Sequence, residues 1–203
     1  MKYLLIAVAA ALLLYLIRPQ TPTMTTKLNP DNTILAAGDS LTYGFGAAPQ
    51  ESYPALLSQM TGLRVINAGI NGETSAEGLR RLPGLLQKHH PRLTILCYGG
   101  NDILQKLPMA QLKANLTEMV KLCRAHGSNV LLVSVPNLTL FGLKPLSLYE
   151  EVAEETGAPL LEGVLAEILD QPALKSDQIH PNAKGYRVMA EKIYEALKQY
   201  GWV

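Results

Sequence analysis

Five short apolar runs, separated by helix-like stretches, set the strongest limit on how this 203-residue chain can fold. They cover residues 33–37, 64–67, 93–98, 129–135 and 159–161. Several are rich in Ile, Val and Leu without polar alternation, the pattern of strands covered on both faces. Between them, Ser75–His89 places Leu79, Leu82, Leu85 and Leu86 at helical spacing and stops before Pro91. Residues 111–126 carry Leu112, Leu116, Met119, Val120 and Cys123 on one face and end at Gly127. Residues 182–200 repeat the pattern with Tyr186, Met189, Ala190, Ile193 and Leu197. Such alternation predicts one doubly wound α/β domain built on a parallel sheet. Ligands bind such sheets beyond the carboxyl ends of the strands, so chemistry is expected just after the apolar runs.

The N-terminal segment stands apart. Residues 1–17 contain one charged side chain, Lys2, in an otherwise apolar stretch. A helix of that length reaches about 25 Å, a little short of the ~30 Å hydrocarbon core, and can still span where the bilayer thins. No small-x-small cleavage site follows it, because Arg18-Pro19-Gln20-Thr21-Pro22-Thr23 comes next. Residues 1–17 are therefore expected to be an uncleaved membrane anchor, with a cleaved secretory signal as the alternative and a buried core helix third. Residues 18–32, rich in Pro, Thr and Asn, read as a linker, and residues 33–203 as the folded domain. The balance of 18 Lys+Arg against 17 Asp+Glu excludes a basic nucleic-acid surface and an acidic disordered tail. Cys97 and Cys123 are too few for a disulfide scaffold and are not spaced as a zinc knuckle. Both read as small core hydrophobes.

Polar turns close the first three apolar runs: Gly38-Asp39-Ser40-Leu41, then Asn71-Gly72-Glu73-Thr74-Ser75, then Gly99-Gly100-Asn101-Asp102. One such turn means little, since turns are made of these residues. Three on one edge of one sheet suggest a site. Of the four histidines, His89, His90 and His126 fall at helix C-termini, where a cation meets the helix dipole favourably. His180 lies outside any helix, three residues after Asp177 and just before Pro181. Asp177 can accept from one ring nitrogen and leave the other to face a nucleophile, the logic of a serine–histidine–acid triad. Four histidines without clustered carboxylates argue against a catalytic metal, and no cofactor motif is present.

Gly38-Asp39-Ser40-Leu41, Gly72, Gly99-Gly100-Asn101-Asp102 and Asp177-Gln178-Ile179-His180-Pro181 resemble, in order and separation, the four sequence blocks of the SGNH hydrolases, also called GDSL lipases/esterases. The similarity is strongest to the bacterial envelope subgroup of thioesterases, lysophospholipases and arylesterases. It implies a three-layer α/β/α, flavodoxin-like fold with a central five-stranded parallel sheet. It further implies Ser40 as nucleophile, His180 as general base and Asp177 as its orienting acid. The backbone N–H groups of Ser40 and Gly72 and the side-chain amide of Asn101 would form the oxyanion hole. Asp39 and Asp102 read as acceptors that fix their own loops.

The implied activity is hydrolysis of acyl or aryl esters, lysophospholipids or acyl thioesters through an acyl-enzyme. A carbohydrate O-acetylesterase of the cell envelope and a non-catalytic envelope binding protein are the alternatives. After the fourth strand, Leu138, Leu140, Phe141 and Leu143 make an unusually apolar loop. They are expected either to receive a substrate chain or to fold back over the sheet. Localisation in the bacterial periplasm or envelope follows, tethered to the inner membrane by residues 1–17, or secreted if the signal is cut. The tether would hold the active site near the bilayer, which suits a lipid ester.

Overall fold

In the computed structural model the described residues are 27–139, 142–144 and 146–203. Strand β1 (Thr33–Gly38) leads into a single helical turn, α1 (Ser40–Tyr43), then α2 (Tyr53–Thr61) and β2 (Arg64–Gly69). Helix α3 (Ser75–His89), β3 (Leu93–Cys97), the short α4 (Gly100–Leu104), α5 (Met109–Ala125) and β4 (Asn129–Val133) follow. A two-stranded hairpin, β5 (Asn137–Thr139) and β6 (Gly142–Lys144), precedes α6 (Ser147–Thr156), β7 (Leu160–Leu161), α7 (Val164–Asp170) and α8 (Ala183–Gln199).

All five apolar runs form strands of one parallel sheet, ordered β2-β1-β3-β4-β7. This is the flavodoxin-like order, with β1 between β2 and β3 at the point where the winding direction reverses. β1, β3 and β4 are buried along almost their whole lengths, which explains why their sequences do not alternate. Helix α3 has the bounds its sequence predicts, because a capping box of Thr74 and Glu77 starts it. Helix α5 starts at Met109, two residues before the expected position, behind Pro108 at the N-cap. Asn182 and Tyr200 turn out to be the caps of α8 rather than members of it. Gly38 and Gly69 let α1 lie directly on the strand ends. A Cβ on Gly38 would meet the Thr42 hydroxyl at 2.1 Å, and one on Gly69 the Tyr43 amide nitrogen at 2.1 Å.

The expected linker is shorter than residues 18–32. Leu28 is buried, and its N–H donates to the Trp202 carbonyl at 2.8 Å. The packed domain therefore begins by Leu28, at the amino end of β1 and beside the C-terminal end of α8. The expected anchor, residues 1–17, lies outside the described residues. Among the described residues no helix is long and apolar enough to cross a membrane. Cys97 and Cys123 are both free and buried.

Candidate active site

Each expected motif sits at a carboxyl end of the sheet, around the central strand. Ser40 is the first residue of α1, immediately after β1. Its neighbour Asp39 caps that turn by accepting from the Leu41 N–H at 2.9 Å. The two flanking strands bring in Gly72, in the turn after β2, and Asn101, in the first turn of α4 after β3. Tyr186 of α8 anchors the Ser40 turn from below, its hydroxyl donating to the Phe45 carbonyl at 2.9 Å.

His180 and Ser40 are 140 positions apart in sequence, yet His180 Nε2 and Ser40 Oγ lie 3.0 Å apart. The other ring nitrogen, Nδ1, is 2.7 Å from Asp177 Oδ2. Asp177 Oδ1 accepts the N–H groups of Ile179 and His180, each at 2.8 Å, so the loop folds around the carboxylate that holds its own histidine. Burial alone would raise the Asp177 pKa. The hydrogen bonds from Ile179, the His180 ring and the His180 amide outweigh it and hold the group below its ordinary value. With Asp177 ionised, Nδ1 carries the proton and Nε2 presents a lone pair to the serine hydroxyl. Phe45 packs against the imidazole, the ring centroids 4.6 Å apart.

Asn101 Nδ2 donates to the Glu73 carbonyl at 3.0 Å and, more loosely, to Asp39 Oδ2 at 3.3 Å. Asp102 accepts from the Ser75 N–H at 2.8 Å and the Ser75 hydroxyl at 2.5 Å. It thus ties the third motif to the second, a wider role than fixing its own loop. The other histidines keep structural places. His90 caps α3 in the left-handed region, and His126 Nδ1 is 2.9 Å from the Leu122 carbonyl. At His89 the favourable cation expected at a helix end is opposed: burial, then Lys88 and Arg64, lower its pKa.

A cavity of about 270 Å³ opens beside Ser40, with Gly72, Asn101 and His180 also on its wall. Its apolar lining includes Leu41, Phe45, Ile103, Val135, Leu143 and Ile179. Of the four expected loop residues, Leu143 lines this cavity. Leu138 is in β5 with its side chain outside the description, and Leu140 and Phe141 lie outside the described residues. Phe45, Ile103 and Val135 were not anticipated on this wall. The available signal is proximity in sequence: Leu41 and Ile179 lie within the motifs, and Phe45 and Ile103 follow closely after them.

A hydroxyl bonded to an imidazole, itself bonded to a carboxylate, at the mouth of an apolar cavity is the constellation of a serine hydrolase. Residues 36–188 match the model of the GDSL-like lipase/acylhydrolase family, and the chain belongs to that family. It is 32% identical over 176 residues to the esterase TesA of Pseudomonas aeruginosa, covering 82% of this chain and 88% of that protein. It is 30% identical over 182 residues to thioesterase 1/protease 1/lysophospholipase L1 of Escherichia coli K12, covering 86% and 88%. The crystal structure of the psychrotrophic esterase EstA from a Pseudoalteromonas species, inhibited by monoethylphosphonate, superposes with a TM-score of 0.76. That match has 30% identity and covers 84% of this chain and 98% of EstA. The chain is a carboxylic ester hydrolase on a three-layer α/β fold.

Proposed function

We propose that Ser40, His180 and Asp177 hydrolyse esters of apolar acyl or aryl groups through an acyl-enzyme, with lysophospholipids and acyl thioesters within range. Ser40 Oγ attacks the ester carbonyl carbon while His180 Nε2 takes its proton. The carbonyl oxygen becomes an oxyanion held by the N–H groups of Ser40 and Gly72 and the Asn101 amide. Collapse breaks the bond to the alcohol or thiol, which leaves with the proton from Nε2. Water then repeats the sequence on the acyl-serine, returning the free acid and the starting enzyme.

The observation that carries this reading is the 3.0 Å contact between Ser40 Oγ and His180 Nε2 at the mouth of the apolar cavity. The apolar wall favours a hydrocarbon chain over the polar ring of a saccharide acetate. The test is a p-nitrophenyl ester series from acetate to palmitate, run with Ser40→Ala. The expected results are highest kcat/KM on an ester longer than acetate, and no turnover by Ser40→Ala with unchanged circular dichroism. Turnover by the variant would remove Ser40 as nucleophile, and a strict preference for acetate would favour the O-acetylesterase alternative. We further propose that the enzyme works in the cell envelope, with residues 1–17 as its anchor. Retention after carbonate washing of membranes supports the anchor; a mature N-terminus near residue 20 would refute it.

A further inference from the structure

Beside Gly72, the proposed oxyanion donor, stands a buried acid, Glu73, 6% exposed. A bare carboxylate there would oppose a developing oxyanion and bear a large desolvation cost. It is not bare. Arg81, two turns into α3, donates from Nε to Glu73 Oε1 and from Nη2 to Oε2, both at 2.5 Å. The same Nη2 reaches the Ala68 carbonyl near the end of β2. Tyr98, just past β3, donates its hydroxyl to Glu73 Oε2 at 2.9 Å. Burial works against the Arg81 charge, but the bonds to Glu73 outweigh it and raise its pKa further.

The backbone of Glu73 works in the opposite direction from its side chain. Its carbonyl accepts the Asn101 Nδ2 proton at 3.0 Å. Glu73 is thereby gripped through its carboxylate by α3 and the residue after β3, and through its carbonyl it grips the Asn101 amide. Gly78 completes the fit. A Cβ at that position would meet the Tyr98 ring carbon Cζ at 2.4 Å and its hydroxyl oxygen at 2.6 Å, so α3 lies flat on Tyr98 only because position 78 has no side chain.

We propose that the Arg81–Glu73–Tyr98 clamp is a positioning device for the oxyanion site, fixing the Glu73 carbonyl and through it the Asn101 amide and the adjoining Gly72 N–H. It rests on the assignment of Gly72 and Asn101 as oxyanion donors. A buried ion pair is a poor way to gain stability, since a well-packed apolar set of similar volume often does as well or better. It is a good way to fix geometry, because a bidentate guanidinium–carboxylate pair defines both distance and plane. Catalysis needs that definition, since a misplacement of about 1 Å costs on the order of a hundredfold in rate.

The test measures kcat per active site, titrated by the p-nitrophenol burst, for Arg81→Met, Arg81→Lys, Glu73→Gln and Tyr98→Phe. Arg81→Met and Glu73→Gln are expected to lower kcat per site about ten- to a hundredfold, with KM changed less than twofold. Arg81→Lys keeps the charge but not the fork, so it should not restore kcat. Should Arg81→Met fail to fold, Tyr98→Phe removes a single hydrogen bond and carries the test, with a several-fold fall expected. Asn101→Ala separates the two ideas. If it loses about 10²–10³ in kcat while the clamp variants stay within twofold, the clamp is refuted and the oxyanion assignment stands. If Asn101→Ala is silent, the assignment and the clamp fall together. A purely structural ion pair would lower the melting temperature and the number of titratable sites, leaving turnover per site intact.

Discussion

Asp39 adjoins Ser40 with its carboxyl group almost wholly removed from water, at 1% exposure. Burial pushes its pKa up from 3.8 to about 7. The bond from Leu41 opposes the rise, the neighbouring acids Asp102 and Glu73 add to it, and the bond from Asn101 opposes it again. In the unfolded chain the group titrates near its ordinary value. Between about pH 4 and pH 7 the folded protein therefore holds a proton that the unfolded chain has lost, and stability falls as pH rises through that window. Below it both states are neutral at Asp39 and the cost vanishes; above about pH 7 the cost is complete. A rise from 3.8 to about 7 corresponds to about 4 kcal/mol. Asp39→Asn removes the titration and keeps the helix cap, since Asn caps as well as Asp. It also sets an amide against the Asn101 amide, forfeiting roughly 1 kcal/mol for the lost hydrogen bond. The variant should thus match the parent's stability at pH 4.5 and exceed it by about 3 kcal/mol at pH 8. Urea denaturation of both proteins at pH 4.5, 6 and 8 reads this directly, because other titrating groups cancel in the difference. The expected swing is on the order of 3 kcal/mol, and a parent–variant difference that does not change with pH would refute the account.

Leu143→Glu places a charge in the apolar wall and should lower kcat/KM on octanoate esters at least tenfold while sparing acetate. Equal losses across the p-nitrophenyl series would show that Leu143 does not contact the chain. Gly99 has φ +126°, and a Cβ there would lie 2.3 Å from the Tyr149 hydroxyl oxygen, which donates to the Tyr98 carbonyl at 2.7 Å. Gly99→Ala is accordingly expected to destabilise by about 2 kcal/mol or more, measured by calorimetry. An unchanged melting temperature would mean the turn after β3 relaxes freely.

The strands were legible because a parallel sheet covered on both faces leaves unbroken Ile, Val and Leu runs, as in Leu93–Cys97. Helix α3 was legible because Leu79, Leu82, Leu85 and Leu86 recur at helical spacing and Pro91 follows its end; in the structure a Thr74–Glu77 capping box fixes its start. Helices α6 and α7, of 10 and 7 residues, are defined by tertiary packing of a few side chains such as Val152 and Ile168. Sequence periodicity over so few turns is weak. The residues of the candidate site were legible since each stands in a turn of distinctive composition. The clamp was not. Glu73, Arg81 and Tyr98 are individually ordinary, and what unites them is the approach of α3 to the ends of β2 and β3. The cavity wall was half legible for a similar reason. An apolar residue in a turn looks the same whether it faces a substrate or the core, and only the path of the backbone decides.

Helix α8 separates the two ends of the molecule. It starts one residue after Pro181-Asn182 and runs 17 residues, about 25 Å, to the corner where Trp202 accepts the amide of Leu28. The polypeptide thus enters the domain at the pole opposite His180. The seam between Leu28 and Trp202 is thus a helix length from the site, so loosening that corner should leave the Ser40–His180 geometry in place.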